Sequence, residues 1–233
     1  MPGYAPINPL AGWGPADQMM VPDTTQRFPA GAVLDAVDPY FGYGRFIYAQ
    51  AGAAYDPGVL VTMVDQTFLT AVLATTGNLG KNFYVVRQVM SAVNVWGWFQ
   101  FEGIAPVRVD TGVAAGAAIG IGTTAGRATT NAAGKQLLGV TVLQPATFTI
   151  TKVGQTFNGT KRLECNTNGL FKGLAITGTG VGAASLVDTL ESSGNGLLGT
   201  VVSTASAQVT LTFTWTGYNM IMMGSPHTQG AIT

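Results

Sequence analysis

The nine residues Gln208-Val209-Thr210-Leu211-Thr212-Phe213-Thr214-Trp215-Thr216 alternate almost without fault between polar and apolar side chains. Successive side chains of an extended chain point to opposite faces. This segment therefore reads as a strand with one hydroxylated face and one buried face. Ala146 to Val153 repeats the pattern, with Phe148, Ile150 and Val153 separated by Thr149, Thr151 and Lys152.

From Gly44 onward, short runs of strand character are divided by glycine turns. Arg45 to Ala51 and Val59 to Val64 flank Tyr55-Asp56-Pro57-Gly58, where Pro and Gly suit a tight turn. Phe83 to Met90 follows, then Val95 to Val109, with breaks expected at Gly103 and Pro106. Phe68 to Thr75 fits a helical face behind Asp65 as N-cap, but its β-branched residues favour a strand. Leu137 to Leu143, Arg162 to Asn166, Leu170 to Thr177, Thr200 to Thr216 and Tyr218 to Met223 complete the set. No long helix is indicated, and the expected fold class is all-β.

Residues 1–43 differ in texture. Seven of the 11 prolines fall there, and proline blocks both helix interiors and sheet ladders. The same segment carries Trp13, Met19, Met20 and Phe28, residues that a disordered tail usually lacks. The expectation is an extended Pro-rich N-terminal arm lying on another surface. Gln144-Pro145 punctuates the chain a second time, and Thr-rich alternation follows it. The expected organisation is an arm over 1–43, a β-barrel- or sandwich-like domain over 44–144, and a second β-rich domain or subunit-contact layer over 145–233.

Function is bounded by how little of the chain ionises. There are 11 Lys and Arg, 11 Asp and Glu, one His and one Cys, so 9% is charged where about a quarter is usual. Proton transfer, covalent catalysis and metal binding need such groups brought together. His227 lies near the C-terminus and Cys165 stands alone, so neither a triad nor a zinc site is expected. Asp35 and Asp38 lack the surrounding loop of a calcium site. Glu102, Asp110, Glu164, Asp188 and Glu191 offer no evident acid–base pair. Gly120 to Gly126 spaces its glycines one residue too far apart for a dinucleotide fingerprint and reads as tight turns. The chain is expected to be neither an enzyme nor a cofactor binder.

The mean hydropathy of +0.30 allows a membrane protein or an obligate oligomer. A spanning helix needs about 20 apolar residues. The best uncharged stretch, Thr111 to Gly126, has few large side chains. A membrane β-barrel gives a weaker signal, and the oligomer reading is preferred. With zero net charge and no basic patch, nucleic acid is not an expected partner. From Gly173 to the end there is no Lys or Arg, which argues that part of this region is covered by a partner. The first residues lack the basic and apolar regions of a signal peptide, and a lone cysteine suits synthesis in a cytoplasm.

The densest aromatic segment is Trp96-Gly97-Trp98-Phe99-Gln100-Phe101-Glu102-Gly103. In a strand, Trp96 and Trp98 share one face while Phe99 and Phe101 share the other. That suits a strand buried on both sides, or one with core on one face and an interface on the other. Preceded by Val95, this segment resembles a strand of tailed-phage capsid decoration (cement) proteins, reading approximately G-Y-G-W-V-Q-x-x-G. Gly44 to Ala53 resembles the family's opening strand. Val113 to Gly120 resembles its Ala-rich turn and strand, and Thr123 to Gly126 with Leu138 to Thr141 its closing pair. The resemblance covers about residues 40–144.

The resemblance implies a structural virion protein on the capsid surface, commonly a homotrimer, that clamps neighbouring copies of the major capsid protein. Trp13, Met19, Met20, Phe28, Trp96 and Trp98 are the expected interface residues. A head fibre binding host glycans is the alternative, and a shell-forming capsid protein ranks behind it.

Overall fold

The computed structural model describes residues 5–6, 21–38, 41–64, 70–75, 80–131, 135–145, 147–191 and 195–228. Among them every regular element is a strand, so the fold is all-β. The first ten strands are β1 (Ala5–Pro6), β2 (Val33–Asp38), β3 (Gly42–Gln50), β4 (Leu60–Met63), β5 (Ala71–Leu73), β6 (Phe83–Val86), β7 (Trp96–Arg108), β8 (Ile119–Ile121), β9 (Ala128–Thr130) and β10 (Leu137–Gln144). The last seven are β11 (Thr147–Thr156), β12 (Arg162–Cys165), β13 (Ala175–Thr177), β14 (Val187–Leu190), β15 (Gly196–Gly199), β16 (Ala207–Thr216) and β17 (Tyr218–Thr228).

The chain divides into two compact units. Thr147–Thr216 lies in one; the other holds β1 to β10 and takes up the chain again at Gly217. A division at 144/145 assigns everything that follows to a second region. Strand β17 departs from that reading, because it pairs antiparallel with β7 and β10 of the first. Its apolar run Tyr218 to Met223 supplies Ile221 and Met223 to the first unit's core.

In that first unit β7 is the central strand. It pairs with β3 over Trp96–Gly103, with β6 at Phe99 and Gln100, and with β17 over Glu102–Arg108. It runs unbroken through Pro106. The amide of Arg108, which points the same way as position 106, donates to the Gly58 carbonyl and not to β17. The hydrogen that Pro106 lacks is therefore not one that the β17 ladder needs. Gly103 is where β3 leaves the strand; it has φ +94°, and a Cβ there would meet the Tyr43 carbonyl oxygen.

Alternation on β4 and β6 divides their side chains between two cores. Leu60, Phe83 and Val85 join Val107, Ile119, Ile121, Leu137 and Ile221; Val61 and Val86 join Tyr55, Met90 and Phe99. The middle of this unit is thus buried on both faces of its sheet.

The last part of the expected arm is also sheet. Val33–Asp38 pairs along β3 from Val33↔Ile47 to Asp38↔Gly42. Leu34 and Ala36 point inward and are buried, whereas Val33 and Val37 point outward.

The other unit is one six-stranded antiparallel sheet in the order β13-β16-β11-β12-β15-β14. Strands β11 and β16 pair over ten rows, from Thr147↔Thr216 to Thr156↔Ala207. Ile150, Leu211, Phe213 and Trp215 form the buried face, and Phe148 and Phe171 pack on Trp215 at 5.1 and 4.9 Å. Burying each such side chain contributes about 1.5–3 kcal/mol. The opposite face carries threonine rows, Thr147↔Thr216, Thr149↔Thr214 and Thr151↔Thr212, followed by Val153↔Thr210.

Candidate interaction surfaces

The expected interface tryptophans lie on one face of β7 beside Tyr48 of β3. The Tyr48 ring stacks on Trp96 at 5.6 Å and leans against Trp98 at 5.0 Å. This aromatic face is covered within a single copy of the chain. Residues 23–32 cross it as a strap. Asp23 and Trp96 exchange two backbone hydrogen bonds of 2.8 Å, and Tyr48 is bonded at both its N–H and C=O to Ala32 and Gly31.

Phe28 lies on Tyr48 and Trp98 at 5.3 and 5.5 Å. The Tyr48 hydroxyl donates to the Asp23 carboxylate at 2.8 Å and accepts from the Arg27 amide at 3.2 Å. Arg27 in turn pairs with Asp23. Burial pushes the Tyr48 phenol well above its usual range. The Arg27 amide opposes that shift, and the Asp23 carboxylate adds to it. Trp96 is left 5% exposed and Trp98 3%. Phe28 is half-buried and committed to its own chain. Trp13, Met19 and Met20 lie outside the described residues.

On the other face of the same sheet, Arg45 joins β2, β3 and β7. Its Nε donates to Asp35 at 2.9 Å and one terminal nitrogen lies 3.4 Å from Glu102, while the Tyr43 hydroxyl donates to Asp35 at 2.9 Å. The Arg45 guanidinium also sits 5.5 Å from the centre of the Phe101 ring. Beyond Phe101 an open groove of ≈ 200 Å³ is lined by Ile47, Asn82, Phe83, Tyr84, Ser225 and Pro226. Its lining is mostly apolar, and Phe101 meets Tyr84 edge-on at 6.2 Å.

The glycine-rich stretch Gly120–Gly126 does hold an anion, and it is the chain's own. The Asp110 carboxylate accepts from the Thr124 amide at 2.9 Å and from the Thr123 hydroxyl at 3.2 Å. Partial burial pushes the Asp110 carboxyl up. The bonds from Thr124 and Thr123 and the charge of Arg127 outweigh that and hold it below its ordinary range. The amide that a phosphate would use is occupied.

His227 is exposed and forms a bridge with Asn82, and Cys165 is buried. Among the described residues no three His, Cys, Asp or Glu side chains are grouped so as to hold a metal ion. Nor does any helix there have the length and apolarity to cross a membrane. Glu164 and Glu191, two of the scattered carboxylates, both reach Arg162 at 3.1 Å and are engaged as ion pairs. No protein-family model, curated protein or solved structure matches the chain.

Proposed function

We propose that this chain is a structural virion protein that binds the outer surface of a phage capsid and stabilises it by bridging neighbouring capsid subunits. Its partners in this reading are the major capsid protein and further copies of itself as a homotrimer. It needs no cofactor and no nucleic acid, and it is made in the host cytoplasm. One observation carries the reading: the four segments that resemble decoration proteins fold into one unit. Gly44–Gln50 pairs antiparallel with Trp96–Gly103, with one register shift between Arg45 and Phe46, and Val113 and Ile119 share a core with Ala105 and Val107 of β7, against which Val140 packs.

The mechanism is buried area. A standard interface covers about 1,600 Å², and several engaged together act multivalently, so separating capsid subunits requires breaking all of them. A glycan platform built on Trp96 and Trp98 would need both rings facing solvent; the strap covers them. A shell-forming role would call for helices, and the described residues contain none.

The test is co-sedimentation of purified protein with capsids assembled without it. Saturable binding at a fixed ratio, with a raised capsid melting temperature, supports the reading. Absence of binding across micromolar concentrations rejects it.

A further inference from the structure

The outward face of the six-stranded sheet carries no charged side chain along its two longest strands, in any of their five outward-facing rows. Solvent-facing sheet positions ordinarily carry lysine and glutamate, which keep sheets from associating. Here the outward positions of β11 and β16 are threonines, with a glutamine pair at one end and Val153 among them. Val153 is 69% exposed, more than any other large apolar side chain among the described residues. Beside β11, the β12 flank carries Arg162, which pairs with both Glu164 and Glu191 and leaves one net negative charge there.

We propose that this threonine face is a self-association surface, occupied by the same face of a second copy of the chain. The proposal stands apart from the capsid reading and needs only this sheet. A neutral face meets its own copy without repulsion. Each threonine hydroxyl both donates and accepts, so it is satisfied by another hydroxyl whichever way the two faces align. The threonine methyls and Val153 supply the apolar contact, and sheets stack face to face at about 10 Å.

Two ten-residue strands at about 3.3 Å per residue and 4.8 Å apart, with the three-residue β13 beside them, make a face of about 350 Å², or about 700 Å² for the pair. That lies below the ~1,000 Å² of a standing interface, so the association is weak and reversible.

Sedimentation velocity on the full chain from about 1 to 100 µM detects an association of this kind. The sedimentation coefficient is expected to rise with concentration. Thr151→Lys combined with Thr212→Lys sets like charges opposite each other at the centre of the face and should weaken association at least tenfold. Val153→Lys, at a site folding does not bury, should do the same with an unchanged circular-dichroism spectrum. Val93→Lys, on an exposed loop of the other unit, should associate as wild type does. A wild-type monomer throughout the range overturns the proposal, as does undiminished association of the folded lysine variants. A monomer that binds an immobilised glycan, and loses it with the same lysines, also overturns it and assigns the face to sugar.

Discussion

Replacing Phe99 with alanine tests the packing of the β7 unit where it is densest. Phe99 is fully buried, opposite Ile47 on one neighbouring strand and Val86 on the other, in a core with Tyr55, Val61 and Met90. Removing the ring leaves a cavity in this core, which Met90 can fill only in part, so the cost should fall in the usual range of about 3–5 kcal/mol. For a domain of this length a kilocalorie moves the midpoint by about 2–4 °C, which predicts a drop of about 6–20 °C.

Phe101 is the internal control. It is half-buried, held between Tyr84 and the Arg45 guanidinium. Phe101→Ala should cost only about 1–2 kcal/mol, because less area returns to water. Scanning calorimetry, with urea titration followed by tryptophan emission, measures both. A Phe99→Ala midpoint within about 2 °C of wild type, or a Phe101→Ala loss as large as that of Phe99→Ala, would refute the double-faced core.

Three further outcomes follow from named contacts. Gly103→Ala should cost more than about 2 kcal/mol, since the new methyl meets backbone at a positive φ. Gly80→Ala, with φ +79° and open space around it, should cost about 1 kcal/mol; equal losses in urea titration would contradict the close approach at Gly103. Asp23→Ala removes the Tyr48 hydroxyl's acceptor and the Arg27 partner. It should cost about 1–2 kcal/mol and shift tryptophan emission to the red as the strap loosens; unshifted emission would count against the strap.

Cys165 supplies a pH test. Burial pushes its thiol from 9.0 up to about 11, against the downward pull of Lys152. The folded chain then keeps a proton that the unfolded chain releases. This contribution is complete below pH 9 and is lost as pH rises towards 11, with a slope of about 1.4 kcal/mol per pH unit. Cys165→Ala should lessen the alkaline decline, and an identical decline in both proteins would contradict that environment.

Alternation made the longest strands legible. Thr210 to Thr216 has its apolar members inside and its threonines outside because a pleated strand allows no other arrangement. Trp96 and Trp98 share a face for the same reason. What covers that face was not legible, since the partner of a strand depends on contacts distant in sequence. The strap over residues 23–32 shows no alternation and reads as irregular, and only the pairing of Asp23 with Trp96 reveals its role. β2 was hidden in the same texture. Hairpin β14–β15 is built from four-residue strands, too short to show a period. The return of β17 to β7 could not be read locally either, because an apolar strand fits any sheet that needs a neighbour. Phe101 looked equivalent to Phe99, but the register shift between Arg45 and Phe46 relaxes the pairing there and leaves Phe101 half-exposed.

The most direct test of the proposed role is electron cryomicroscopy of phage particles assembled in host cells that express the tagged protein, with the chain located by gold labelling of the tag. The account predicts density for the β7-centred unit on the outer capsid surface, touching at least two major capsid subunits. Label confined to the tail, to the particle interior or to host membranes would contradict it.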